Sequence, residues 1–229
     1  MSGLVRYREG ESSGNGFLDD YAYFVLALLS LYDATYDVEY LEASVFYCRR
    51  MIRLFYDLRD EGFYFTPSGG EKLFYRPKEA YDGAMPSGNS VAGFVTNRLS
   101  ALTEEPDLTE IFDRQTRFLE TAARSYPSGF SFALIALMQK LEDYARLVCV
   151  LPDEEHVREI ALKLGKRFPG LTVIVKTPEN ADRLSEIAGY TKAYAIDNTR
   201  PVFYVCKNKT CYPAEYDLDK ILEDLSAPS

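Results

Sequence analysis

Apolar positions recur at helical spacing through the first part of the chain and then give way to short apolar runs. Residues 1–16 are polar and glycine-rich, which predicts an irregular lead-in. Leu18-Asp19-Asp20 then opens a helix, because acidic side chains suit the free N–H groups and the positive dipole end of a helix start. Tyr21, Phe24, Val25, Leu28, Leu29 and Tyr32 form one stripe along it. Asp37 starts a second helix whose apolar face is Leu41, Val45, Cys48, Ile52 and Phe55. Two short aromatic runs, Gly62–Thr66 and Lys72–Tyr75, flank Gly69-Gly70 and predict a β-hairpin. Val91–Leu102 reads as a third helix, and a fourth begins near Asp107 with Leu108, Phe112, Gln115, Leu119 and Ala122 on one face. Pro127-Ser128-Gly129 introduces a fifth, carrying Phe130, Leu134, Leu137 and Leu141.

An internal repeat organises these helices. At an offset of 70, Ala22, Phe24, Val25, Leu29, Ser30 and Asp37 are identical to Ala92, Phe94, Val95, Leu99, Ser100 and Asp107, and Leu41 answers to Ile111. At an offset of 41, Pro86-Ser87-Gly88 recurs as Pro127-Ser128-Gly129. Repeated helical hairpins bury their apolar faces against one another. The register places Asn89-Ser90 where Asp19-Asp20 stand, so the first helix of each hairpin starts on one rim.

After about Tyr144 the pattern changes. Leu147–Leu151 and Leu171–Val175 read as buried strands, each followed by an amphipathic helix, Asp153–Arg167 and Asn180–Ala188. Val202–Cys206 and Thr210–Tyr212 predict a strand pair, and Leu218–Leu225 a closing helix. The chain therefore reads as mostly α, with helical hairpins and a β-hairpin insertion over 1–145 and a small α/β unit with a parallel crossover over 146–229. No glycine-rich phosphate fingerprint follows either strand, so no nucleotide cofactor is expected.

Charge and cysteine content narrow the classes. A formal charge of −9 without a basic run argues against nucleic acid or an anionic membrane as partner. The N-terminus lacks the apolar core of a signal peptide, so a cytoplasmic setting is expected. Cys48 and Cys149 lie in apolar segments and read as core residues. Cys206 and Cys211 flank an apparent tight turn: half a zinc site, a dithiol switch, or two reduced cysteines facing across a hairpin, the last being favoured. With His156 the only other soft ligand, no metal site is expected.

The stretch Tyr75–Ser90 is the most polar loop of the chain and ends by opening a helix. Phe17-Leu18-Asp19-Asp20-Tyr21-Ala22, Arg76-Pro77-Lys78-Glu79, Asp82–Ser90 and Tyr204-Val205-Cys206 before Cys211 together resemble one family. It is the group of thioredoxin-domain-containing proteins that includes a spermatogenesis-associated protein of animals. The resemblance implies an N-terminal thioredoxin-like domain followed by an (α/α) toroid similar to six-hairpin glycosidases. Only the C-terminal part is matched, so the thioredoxin-like domain and about half the ring are expected to be absent here, as in a truncated or split form. The fold expected is a partial toroid.

In such toroids the pocket lies where inner helices start. Here that rim would hold Asp19, Asp20, Tyr21, Arg76, Lys78, Glu79, Tyr81, Asp82, Ser87, Asn89 and Ser90. Carboxylates, hydroxyls, an amide and aromatic faces suit a saccharide or polyol, whose hydroxyls each want donor and acceptor. Glycoside hydrolysis needs two carboxyl groups, about 5–5.5 Å apart for retention or 6.5–9.5 Å for inversion. Asp20 or Asp19 with Asp82 or Glu79 are the candidates for that pair, with the remaining rim residues as ligand-binding. Against this stands the reading of the acids as helix caps, which is favoured for Asp19 and Asp20 at the start of their helix. Epimerase or Ser–His–acid chemistry is disfavoured, because His156 falls on a helix of the α/β unit. The alternative to a sugar site is a scaffold that associates through the open half-toroid face, as a homo-oligomer or with a partner supplying the missing half.

Overall fold

The computed structural model describes residues 4–8, 11–69, 74–141, 145–165, 171–207 and 210–226. The chain divides into two compact units. The first comprises Met1–Leu29, Glu42–Ser100 and Glu105–Leu141; the second comprises Ser30–Leu41, Ala101–Glu104 and Glu142–Ser229.

The lead-in is a correction. Instead of irregular chain, β1 (Val5–Arg8) pairs antiparallel with β2 (Glu11–Asn15). Gly14 in β2 takes φ +74°, and a backbone bond from Gly16 N to Leu4 O and a bond from Leu4 N to the Tyr21 side-chain hydroxyl anchor the hairpin base. β1 is only four residues long and β2 is made of polar residues and a glycine, so the pairing left too short a period to read.

The hairpins form as the periodicity predicts. α1 (Leu18–Thr35) and α2 (Val38–Phe55) pack antiparallel, Tyr21 against Phe55 and Phe24 edge-on to Tyr47. α3 (Gly88–Thr103) and α4 (Pro106–Ala123) do likewise, with Gly93 against Leu119 near one end and Ser100 bonded to Thr109 near the other. α5 (Ser131–Leu141) follows a 3-10 turn at Pro127–Gly129 and packs Ala133 and Ala136 on Leu119. Each first helix ends beside a left-handed non-glycine residue, Tyr36 (φ 54°) or Glu104 (φ 57°).

The repeat is real in three dimensions but not uniform. At an offset of 70, Tyr21, Ala22, Val25, Leu29 and Tyr32 match Val91, Ala92, Val95, Leu99 and Leu102, all buried. α1 has 18 residues and α3 has 16, so α2 and α4 correspond at an offset of 68. Asp37 caps α2 by accepting from Glu39 N, whereas Asp107 lies inside the first turn of α4. Leu41 is buried and Ile111 only half-buried, so neither the Asp37/Asp107 identity nor the Leu41/Ile111 correspondence marks an equivalent place at the second helix.

The β-hairpin insertion is a second correction. Phe63 makes an isolated bridge to Tyr56 and the rest of Gly62–Thr66 is not strand, while Gly70–Leu73 lie outside the described residues. The aromatic side chains here serve packing: Phe63 is buried against Tyr56, and Phe65 stacks on Phe17.

In the second unit, β3 (Ala145–Val150), α6 (Glu154–Leu164) and β4 (Leu171–Lys176) make the parallel crossover. α7 (Ala181–Ile187) and a 3-10 turn at Gly189–Ala193 lead to β5 (Val202–Lys207), antiparallel to β3. β6 (Thr210–Cys211) pairs with β5, and α8 (Leu218–Ser226) closes the unit, giving the sheet order β4-β3-β5-β6. The last four residues of β3, Leu147 to Val150, are apolar and buried, as suits a strand paired on both edges. Arg146 donates to Ala101 O, pairs with Glu104 and lies over the Tyr190 ring, fixing Ala101–Glu104 within this unit. Cys206 and Cys211, expected to face each other reduced, are joined by a disulfide; Asn208 and Lys209 between them lie outside the described residues.

Candidate functional site

Three helix starts meet in the first unit, those of α1, α3 and α5, and side-chain caps hold them there. Asp20, at the third position of α1, accepts from Phe17 N at 2.7 Å, bonding back to the residue before the helix. Ser87 precedes α3 and accepts from Ser90 N at 3.2 Å, while the two hydroxyls lie 2.9 Å apart. A Cβ on Gly88 would sit 2.2 Å from Asp19 Oδ1 and 2.8 Å from Leu18 Cγ, so a side chain there would force Asp19 and the buried Leu18 to shift.

Asp82 links the other two starts. Its Oδ1 accepts from Ser87 N at 2.8 Å, and its Oδ2 from Phe132 N and Ala133 N at 2.8 and 3.0 Å. One carboxylate from the loop thus ties the residue before α3 and caps the first turn of α5, where the dipole favours negative charge. Asp82 N donates to Gly129 O at 2.9 Å, completing the tie.

Asn89 pins the loop from inside. Fully buried, it accepts from Phe63 N at 2.7 Å and donates to Phe63 O and Glu79 O at 2.8 Å each. The buried Gln115 amide donates to both Asn89 O and Asn89 Oδ1. Upstream, Lys78 pairs with Asp57 at 2.8 Å and donates to Glu61 O at 2.6 Å. Tyr64 donates its hydroxyl to the same Asp57 oxygen, and Arg76 lies 4.0 Å over the Tyr64 ring while donating to Thr66 O. Burial pushes the Asp57 carboxyl up, but hydrogen bonds from Lys78, Tyr64 and the N–H groups of Arg59 and Asp60 outweigh it and hold it well below the carboxylate range. The hydrogen bond to Asp57, with burial added, raises the Tyr64 phenol.

The eleven rim candidates therefore separate. Tyr21, Ser87, Asn89 and Ser90 are buried and engaged within the protein. Asp20 and Asp82 are half-buried caps, and Arg76 and Lys78 are half-buried loop ties. Asp19 is half-buried beside Gly88, and Glu79 and Tyr81 are exposed. Two tyrosines that the sequence did not single out belong with them. Tyr23 donates to Pro86 O at 2.8 Å, and burial followed by the charges of Asp19 and Asp82 raises its phenol. Tyr126 lies against Gly129 together with Tyr81, and a Cβ there would lie 2.7 Å from either ring. Tyr23 lies one helical turn beyond Asp19 and Asp20, a spacing that could have revealed it; Tyr126 precedes a turn and carries no such signal.

Among the described residues, no group of three or more His, Cys, Asp or Glu side chains is placed to hold a metal ion, and no helix is long and apolar enough to cross a membrane.

Antiparallel helical hairpins with a capped, loop-covered rim, followed by a small mixed α/β unit, define the class of this chain. No family model matches it. The chain is 38% identical over 200 residues to spermatogenesis-associated protein 20 of Mus musculus, covering 86% of this chain and 25% of that protein. The Homo sapiens protein of the same name is 37% identical over the same coverage. An uncharacterised protein of Caenorhabditis elegans is 26% identical over 204 residues, 89% of this chain and 27% of its own length. The chain spans about a quarter of the length of the curated relatives it matches.

Proposed function

We propose that this chain is the C-terminal part of a thioredoxin-domain-containing protein, a partial (α/α) toroid of the six-hairpin glycosidase type, and that its rim binds a saccharide or polyol. The observation that carries the reading is the pinned loop. Asn89, Asp82, Lys78 and Arg76 fix its backbone from within, while Glu79 and Tyr81 remain exposed on it. Tyr81 and Tyr126 are 59% and 57% exposed with both rings against Gly129, and paired aromatic faces at a held loop suit a sugar ring better than a flexible connector would. Binding is favoured over turnover, because Asp20 and Asp82 serve as caps and Glu79 is the candidate acid with an exposed side chain. The test is calorimetry against a panel of mono- and oligosaccharides and polyols. Tyr81→Ala should weaken binding by about tenfold, roughly 1.4 kcal/mol. Equal affinity in that variant, or silence across the panel, contradicts the reading.

A second reading is favoured by α5. Ile135, Met138 and Leu141 recur every three residues along it and are 45%, 58% and 86% exposed, an apolar helix face open to association. In this reading the half-toroid pairs with a second copy or with the remainder of the ring. Light scattering that shows a dimer lost in Met138→Lys supports it, and a concentration-independent monomer removes it for this chain.

A further inference from the structure

The β5–β6 hairpin carries the one covalent feature of the described residues that the rim does not use. Cys206 and Cys211 are directly opposed in the antiparallel register and disulfide-bonded, but their surroundings differ. Cys206 is buried at the end of β5, whereas Cys211 is exposed on the edge strand β6. The Tyr194 hydroxyl lies 3.7 Å from Cys206 Sγ and 3.8 Å from Cys211 Sγ. Its ring packs against Tyr204 at 4.8 Å, which fixes the hydroxyl beside the sulfurs. Burial raises the Tyr194 phenol, against the lowering effect of Arg146, so its proton is retained at neutral pH and available for donation.

The remaining cysteines offer no competing chemistry. Cys48 and Cys149 are fully buried, and burial pushes the Cys48 thiol up to about 12 and the Cys149 thiol higher still.

We propose that Cys206–Cys211 is a reversible thiol–disulfide exchange site, entered at Cys211, with Tyr194 as the hydrogen-bond donor to the departing Cys206 sulfur. The co-reactant is a low-molecular-weight monothiol. Its thiolate attacks Cys211 Sγ and forms a mixed disulfide, while the Cys206–Cys211 bond breaks and its electron pair leaves on Cys206 Sγ. Tyr194 stabilises that thiolate, which then takes a proton from water. A second thiol displaces Cys211 as its thiol and forms the free disulfide. Two thiols are thereby oxidised and one protein disulfide is reduced to a dithiol. The exposed sulfur is the one an incoming thiol reaches, and the buried sulfur is the one that meets a hydrogen bond as it leaves. Because the β5–β6 pairing and the Tyr212 N to Val205 O bond adjoin the disulfide, reduction also loosens the edge of the sheet.

The full chain is titrated with reduced and oxidised glutathione, quenched by acid and alkylation, and read by peptide mass spectrometry. Cys206 and Cys211 should become alkylatable together, with Cys48 and Cys149 protected, and the trapped intermediate should carry glutathione on Cys211. In Cys206→Ser, oxidised glutathione should modify Cys211 at least about tenfold faster than it modifies Cys206 in Cys211→Ser. Tyr194→Phe should slow reduction several-fold while leaving the melting temperature of the oxidised protein unchanged. Amide exchange at Cys211 and Tyr212 should rise on reduction. A disulfide that yields only when the protein unfolds overturns the proposal. So does glutathione trapped on Cys206, or a Tyr194→Phe rate equal to that of the parent protein.

Discussion

Asn89 stands at the second position of α3, and its amide is spent on Phe63 and Glu79 rather than presented to solvent. Replacing it by Ala strands the Phe63 N–H and carbonyl and removes one acceptor of the buried Gln115 amide. The expected cost is about 2–4 kcal/mol, read as a drop in the urea midpoint at unchanged slope. Near-parent stability in Asn89→Ala would mean that the loop does not depend on this clamp. Asp57 gives a pH-dependent counterpart. Its carboxyl binds a proton more weakly in the folded protein than in the unfolded chain, so it stabilises the fold fully above the unfolded value of about 4. That contribution disappears as pH falls below 4 towards the lowered folded value. Asp57→Asn should therefore cost about 1.5–3 kcal/mol at pH 7 and progressively less below pH 4. A cost independent of pH would contradict the assignment to the ionised carboxylate.

At the scale of elements, what could be read from sequence was what periodicity encodes. The five helices of the hairpins and the parallel crossover follow from apolar spacing, because a stripe at helical spacing and an all-apolar strand each have one way to be buried. The repeat also identified the shared starts of α1, α3 and α5, while Asp82 bridging two of them was not legible: its partners, Phe132 and Ala133, are about fifty residues away and the bond is to their backbone. The same holds for Asn89, where an amide next to a helix start has the same signature whether it faces solvent or another loop. β1 and β2 escaped for a different reason, being a four-residue strand paired with one made only of polar residues and a glycine. Asp82→Ala tests the element-level role. It should destabilise by about 1–2 kcal/mol, as loss of a cap does, and should raise amide exchange at Ser87, Phe132 and Ala133 together. Exchange that rises at α5 alone would show that the carboxylate does not couple the two starts.

For the whole molecule, the rim reading makes a spatial claim. Caps and clamps hold the loop, and in the proposed function recognition would fall to the exposed Glu79, Tyr81 and Tyr126. The similarity to spermatogenesis-associated protein 20 covers most of this chain and about a quarter of that protein, so the proposed toroid is tested most fully in the longer protein, whereas the rim itself can be tested here. The most direct measurement is amide chemical-shift mapping of this chain titrated with neutral saccharides and polyols. Binding at the rim should give saturable shifts at residues 19–23, 79–85 and 126–132, lost in Tyr81→Ala. Saturable shifts confined to the second unit, or rim shifts that persist unchanged in Tyr81→Ala, would contradict it.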